Sequence, residues 1–265
     1  MEIIGYILAI LVGISLGLVG SGGSILTVPI LVLVMGVEPT IATAYSLFIV
    51  GTTALVGGIK SILEKRVEFK TTLVFGIPSI ISVYLTRGYI LPLIPDSVFT
   101  VSGFEVTKSI LLMVLFAIVM VAASISMIKP MRKDLEFDLI PPVNYALICL
   151  QSILIGFITG LVGAGGGFLI IPALILFAHI PMKMAVGTSL LIITTNSAIG
   201  FFSAIIDDYL IDWKLLTIFT CSSIIGIFLG FILAKKISGK KLKRGFGWLV
   251  LIMGIYIIVD ELFLK

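Results

Sequence analysis

Charge is scarce in this chain. Only 12% of its 265 residues are Asp, Glu, Lys or Arg, against about a quarter in water-soluble domains. None lies between Ile3 and Val37. With 59% hydrophobic residues and a mean hydropathy of +1.27, the chain cannot clothe a surface in water. Other absences exclude more. No apolar segment carries a central Asp or Glu, the group that proton- and cation-coupled pumps commonly use. That favours an anionic substrate, or coupling through the substrate's own proton. One histidine, His179, has no cluster around it, so no metal site is expected. The two cysteines, Cys149 and Cys221, lack a CxxC partner and lie far apart inside apolar segments. They read as buried thiols. No Ser/His or Asp/Asp pair suggests an intramembrane enzyme, and no nucleotide-binding motif is complete, so no cofactor is expected. No Lys or Arg precedes Lys60, whereas a cleaved secretion signal opens with basic residues. The first segment is therefore expected to be retained.

What remains is apolar sequence. Runs near or above 20 residues recur, each long enough to cross a hydrocarbon core of about 30 Å. They are apolar on all faces, unlike the alternating segments of about ten residues in a membrane β-barrel. The expected class is an all-α polytopic membrane protein with the lipid bilayer as its surroundings. The net charge of +4 then reflects basic loops at one membrane face, and no nucleic-acid partner is expected.

The chain also repeats itself. GLVGSGGSILTVP at 17–29 returns as GLVGAGGGFLIIP at 160–172, and 13 of 31 positions match without a gap between 17–47 and 160–190. Val67-Glu68-Phe69-Lys70 matches Ile211-Asp212-Trp213-Lys214 after a one-residue shift. Two repeats are expected, 1–129 and 143–265, joined by a polar linker at 130–142 with three prolines. Each holds a long broken segment (3–37; 143–180) and then three more (39–63, 70–92, 108–128; 182–206, 213–234, 245–263). Lysines and arginines number four in the loop 60–70 and one in its counterpart 207–214, but two in 87–108 and six in 235–244. The basic bias swaps sides. Under the positive-inside rule the repeats are inverted, so each crosses an odd number of times. Five plus five results if each broken segment is a hairpin, with both termini outside. Four plus four with parallel repeats is the alternative.

The glycines of the breaks are Gly20, Gly22, Gly23 and Gly163, Gly165, Gly166, Gly167. A helix restarting there presents free N–H groups and the positive end of its dipole, which together suit an anion. Ser21 and Ser24 add hydroxyls in one repeat, where Ala164 and Gly167 stand in the other. Small residues also let membrane helices pack closely, but the duplicated, glycine-dense break followed by proline points to a binding role. Interrupted helices at matching places in inverted repeats mark transporter substrate sites. The second segments offer Tyr45, Ser46 and Thr52, and Thr188, Ser189, Thr195 and Asn196. Of these, Asn196 is the strongest candidate, because an amide in mid-membrane needs partners. Arg87, near the end of the third segment, reads as a residue reaching back to the headgroups, with a place facing a pore as the alternative.

The paired GLVGxGGxxLxxP motifs, each followed by A-x-x-x-S-L (Ala42–Leu47; Ala185–Leu190), resemble the TauE/SafE sulfite exporter family over nearly the whole chain. The resemblance implies a prokaryotic permease of the cytoplasmic membrane for small sulfur-containing or organic anions, such as sulfite or sulfonates. It places the site at Gly20, Gly22, Gly23, Gly163, Gly165 and Gly166 and at the polar positions of the second segments. Tyr45 opposite Thr188 departs from an even pairing. Alternating access is the expected mechanism. A passive anion channel and a non-transporting partner subunit of a sulfur relay are the alternatives. A homodimer is admitted as an assembly.

Overall fold

The structure is a computed structural model that describes residues 2–20, 22–95, 97–101, 104–128, 145–162, 166–205, 211–234 and 239–260. The linker 130–142 lies outside them, as do Ser21, Gly163 and Gly165 and the side chain of Ser24.

The described residues form ten helices. In the first half of the chain these are α1 (Glu2–Val19), α2 (Gly22–Pro29), α3 (Pro39–Leu63), α4 (Phe69–Leu93) and α5 (Lys108–Ile128). In the second they are α6 (Tyr145–Val162), α7 (Gly167–Phe177), α8 (Met182–Ile205), α9 (Trp213–Ala234) and α10 (Gly239–Val259). Helices α3, α4, α6, α8 and α9 are long and apolar enough to cross a bilayer, and shorter apolar helices make up the rest. The β structure among the described residues is one small antiparallel ribbon before α5, β1 (Ser97–Val101) on β2 (Phe104–Thr107). The chain is thus an all-α polytopic membrane protein.

Helix ends follow local chemistry. Glu38 caps α3 by accepting from the Thr40 amide, with Pro39 in the first helical position where its missing N–H costs nothing. Asp212 caps α9 by accepting from the Leu215 amide at 3.0 Å. Pro29 cannot donate along α2, and a π-helical turn follows it at Ile30–Val34, closed by the Met35 amide on the Ile30 carbonyl.

The outward faces carry Ile4, Ile7 and Leu11 on α1, Leu73, Ile77 and Ile81 on α4, and Ile225, Leu229 and Ile232 on α9, all exposed. The interior holds Ser79, Ser152, Asn196, Ser197 and Ser223, each fully buried. The outward faces are apolar, as lipid contact requires, and the buried interior is a mainly apolar core into which these hydroxyls and the Asn196 amide are set.

Contacts fix how the helices run. Gly23 lies on Val12 and Leu16, and Gly5 on Met35, so α2 and its π turn fold back antiparallel to α1. The first broken segment is therefore a hairpin. Ser223 donates to the Ala9 carbonyl, Gly226 meets Gly13 and Gly230 meets Gly17, so α1 and α9 lie parallel. Ser82 donates to the Ile153 carbonyl, and Gly156 and Gly160 meet Ser79 and Thr86, so α4 and α6 are parallel too. Leu47 packs on Gly200, Gly51 on Ser197 and Gly58 on Leu191, which makes α3 and α8 antiparallel. Helix α5 packs on α10 through Ala117, Met120 and Gly254. Each half therefore lays its first helix on the fourth helix of the other half.

Candidate functional site

The reversal after α1 is made by Gly20, whose φ of +73° is open to glycine and strained for other residues. Its Cα faces Val186 of α8, and its carbonyl accepts from the Ser189 hydroxyl at 3.2 Å. The helix restarts at Gly22. The second break has its left-handed residue at Gly166 (φ +67°), packed on Thr159, and restarts at Gly167. The two restarts are not at matching positions: Gly167 stands two places beyond the residue that pairs with Gly22. Among the predicted break residues, Gly20, Gly22, Gly23, Gly166 and Gly167 are described, and α2 and α7 both begin in the glycine stretch as expected.

The structure sorts the polar candidates by level. Thr188 accepts from the Glu68 amide at 3.0 Å at the start of α4, beside Ser189 and Gly20. Tyr45 accepts from the Asp212 amide at 2.6 Å at the start of α9. Those two bonds exchange places under the repeat spacing, and each anchors one half's third helix to the other half's fourth. The first break lies level with the start of α4. The second follows Gly160, which sits on Thr86. Roughly 26 Å of helix separates Phe69 from Thr86, so the two breaks stand near opposite ends of the bundle.

Between them lies Asn196. It is fully buried, its Nδ2 donates to the Ser79 hydroxyl at 2.6 Å, and its Oδ1 is a buried acceptor without a hydrogen bond. The Ser46 and Ser197 hydroxyls are likewise buried without a bond. Such groups cost free energy in a dry interior unless a ligand or water meets them. Thr52 is half-buried, and Thr195 is exposed and bonds back to the Leu191 and Ile192 carbonyls of its own helix. Structure therefore groups Gly20, Thr188 and Ser189 at one end, Tyr45 at the other, and Asn196 midway.

One expectation is corrected. Arg87 does not reach toward headgroups. It is 4% exposed, sits on a π-helical turn of α4 (Thr86–Ile90), and its Nη2 donates to the Thr43 hydroxyl of α3 at 3.1 Å. The helix runs to Leu93, close to the expected end at 92, and it turns the guanidinium into the bundle toward α3 rather than outward.

Other residues escaped the sequence reading. Ser79, Ser82 and Ser223 bind helix to helix across the halves. Gly13, Gly17, Gly156, Gly160, Gly226 and Gly230 bring backbones together. A methyl group on any of them would overlap the neighbouring helix, the Ser223 carbonyl for Gly13 and the Ile10 carbonyl for Gly226 among them. The four-residue spacing of these glycines was the available signal. The expectation of two buried thiols is also corrected: both cysteines are free, but Cys149 on α6 is only half-buried and Cys221 lies exposed on the outer face of α9.

A family model described as sulfite exporter TauE/SafE matches residues 6–257. A probable membrane transporter protein of Xylella fastidiosa (strain 9a5c) is 31% identical over 255 residues, covering 94% of this chain and 91% of its own. The probable membrane transporter protein YunE of Bacillus subtilis (strain 168) is 26% identical over 281 residues, covering 97% and 99%. The probable membrane transporter protein MJ0441 of Methanocaldococcus jannaschii is 35% identical over 132 residues, about half of each chain at 47%. No solved structure matches.

Proposed function

Because the chain belongs to the sulfite exporter TauE/SafE family and is a multi-pass membrane transport protein, we propose that it carries small sulfur-containing oxyanions, sulfite or a sulfonate, by alternating access. The observation that carries this reading is the pair of glycine breaks near opposite ends of the bundle, with buried, unbonded polar groups on the helices between them. Each break begins a helix whose first N–H groups have no partner within the helix and whose dipole points its positive end at the break. An oxyanion accepts several such bonds, and glycine lets it reach the backbone.

Helix directions favour inverted halves. If each half crosses five times, α3 and α8 must be antiparallel, and α1 must run with α9 and α6 with α4. Those are the directions in the bundle. Four crossings per half, with parallel repeats, would set α3 and α8 parallel. Rocking of one half against the other would then expose the mid-bundle Asn196–Ser79 level to each side in turn. The loop charges put both termini outside the cytoplasmic membrane. The membrane potential, negative inside, expels an anion with about 2.3 kcal/mol per charge per 100 mV, so export is the downhill direction.

Counterflow tests this. Proteoliposomes loaded with unlabelled sulfite and diluted into labelled sulfite should accumulate label transiently above equilibrium. Acetate, sulfate and sulfoacetate inside would rank the substrates. Equilibration without overshoot would mean a channel, and no flux from folded protein would remove anion transport altogether.

A further inference from the structure

Gly17 on α1 meets Gly230 and the amide of Phe231 on α9, three residues before the first break. Its counterpart Gly160 on α6 meets Thr86 on α4, and the residue after Thr86 is Arg87. Under the repeat spacing, Phe231 and Arg87 occupy the same place in the two halves. So do Lys60 and Ser203, on α3 and α8. Their surroundings complete an exchange. The Lys60 ammonium lies 4.4 Å from the centre of the Phe231 ring, and 5.7 Å from that of Phe228. At the other end, a side chain added at Gly88, next to Arg87, would come within 3.3 Å of the Ser203 hydroxyl. One end therefore has its cation on the third helix and an aromatic ring on the fourth. The other has its cation on the fourth helix and a hydroxyl on the third.

We propose that Lys60 and Arg87 form two oxyanion stations, one beside each break, and that the charge at each is kept although the helix supplying it has changed. This rests on the anion-carrier reading above. Chemistry at the Arg87 end specifies the ligand. A guanidinium in the bilayer region is costly to bury and is placed there for function. Its planar fork of donors matches two oxygens of a sulfite or sulfonate at once. The Ser203 hydroxyl, 6% exposed and without a hydrogen bond, and the buried, unbonded Ser46 hydroxyl on the helix that carries Thr43, are further donors. Lys60 is a single point charge on a flexible stem, half-buried against its ring. The Arg87 station therefore selects for the shape of the oxyanion, and the Lys60 station attracts charge with little regard to shape. Thr43 and Lys60 stand about 26 Å apart along α3, so an anion meets the stations in sequence.

Labelled-sulfite counterflow provides the test, with wild-type exchange as the reference. Arg87→Phe should lower exchange about tenfold or more, the scale of a lost hydrogen bond to a charged group. Adding Ser203→Lys, which remakes the second end in the pattern of the first, should restore exchange to within about threefold of wild type while blunting the preference for sulfite over acetate. Lys60→Gln changes a half-buried side chain and keeps much of its length and its polarity. It should raise the half-saturating sulfite concentration by about fivefold or more and leave the sulfite-to-acetate ratio unchanged. If Arg87→Phe does not fold, Arg87→Lys serves in its place: retained exchange with lost sulfite preference is the expected result. Wild-type exchange and selectivity in Arg87→Lys and Lys60→Gln, or a folded double variant no better than Arg87→Phe, would overturn the stations while leaving the carrier reading intact. No exchange by the wild type would remove both.

Discussion

At the start of α4 the Glu68 amide donates to the Thr188 hydroxyl, and at the start of α9 the Asp212 amide donates to the Tyr45 hydroxyl. A small aliphatic alcohol and a phenol thus make the same bond at equivalent places. The phenol reaches because its longer side chain spans a wider gap. The helix ends agree in the same way. The Val37 amide donates to the Leu31 carbonyl and the Ile180 amide to the Leu174 carbonyl, 143 positions on. Both ends turn through a left-handed residue, Gly36 in one half and His179 in the other. Between the two halves, then, backbone geometry and helix anchors persist while side chains change. Asn196 against Thr53 differs in another way. Asn196 crosses to Ser79, whereas Thr53 turns back to its own Ile49 carbonyl. The shared features hold the scaffold, and the differing pair lies at the mid-bundle level proposed above for the substrate.

The strongest test of that comparison is at the glycine contacts. Gly13→Leu should drive α1 away from α9 and destabilise the protein by about 3 kcal/mol. Gly156→Leu should do the same between α6 and α4. Thermal unfolding of detergent-solubilised protein reads both, and a large effect at one site with none at the other would break the equivalence of the two interfaces. Tyr45→Phe and Thr188→Val each remove one acceptor from a helix start and should cost about 1 kcal/mol in the same assay. A transport loss in Tyr45→Phe well beyond that of Thr188→Val would move Tyr45 from anchor to substrate contact. The smallest effects belong to the left-handed caps. A side chain at Gly36 would meet nothing within 4 Å, so Gly36→Ala isolates backbone strain and should lose about 1 kcal/mol. His179→Gly should gain somewhat less than that, about 0.5 kcal/mol, because glycine also loses more freedom on folding.

Much of this was legible beforehand. Hydropathy and length announce membrane helices, the duplicated glycine stretch announces the break at Gly20, and the swapped loop charges read that break as a hairpin. Asn196 was singled out by chemistry alone and does make a bond across the halves. Arg87 was misread for a physical reason. The expected segment 70–92 already ran nearly to Leu93, but an arginine so near its end was read as reaching outward, and a π turn takes the guanidinium inside instead. The crossing of first helices onto fourth helices was not legible either. Gly13 and Gly226 look like ordinary glycines in an apolar run, and pairing them needs a contact across more than two hundred residues. His179, which appeared only as a lone histidine, is legible once Gly36 is set beside it.

The lengthwise pairing of α1 with α9 has a consequence for biosynthesis. When α1 enters the bilayer its glycine face has no partner, and α9 is still some 200 residues from being made. At ordinary rates of translation that is a wait of roughly 10–40 s. Helix α4 waits for α6 in the same way, though for less time. A nascent first half is consequently an open template whose small-residue grooves are filled only by the second, and the insertion machinery must keep other helices out of them meanwhile. Each half thus leaves grooves that the other half fills, and a chain cut in the linker is expected to assemble when both pieces are made in the same membrane.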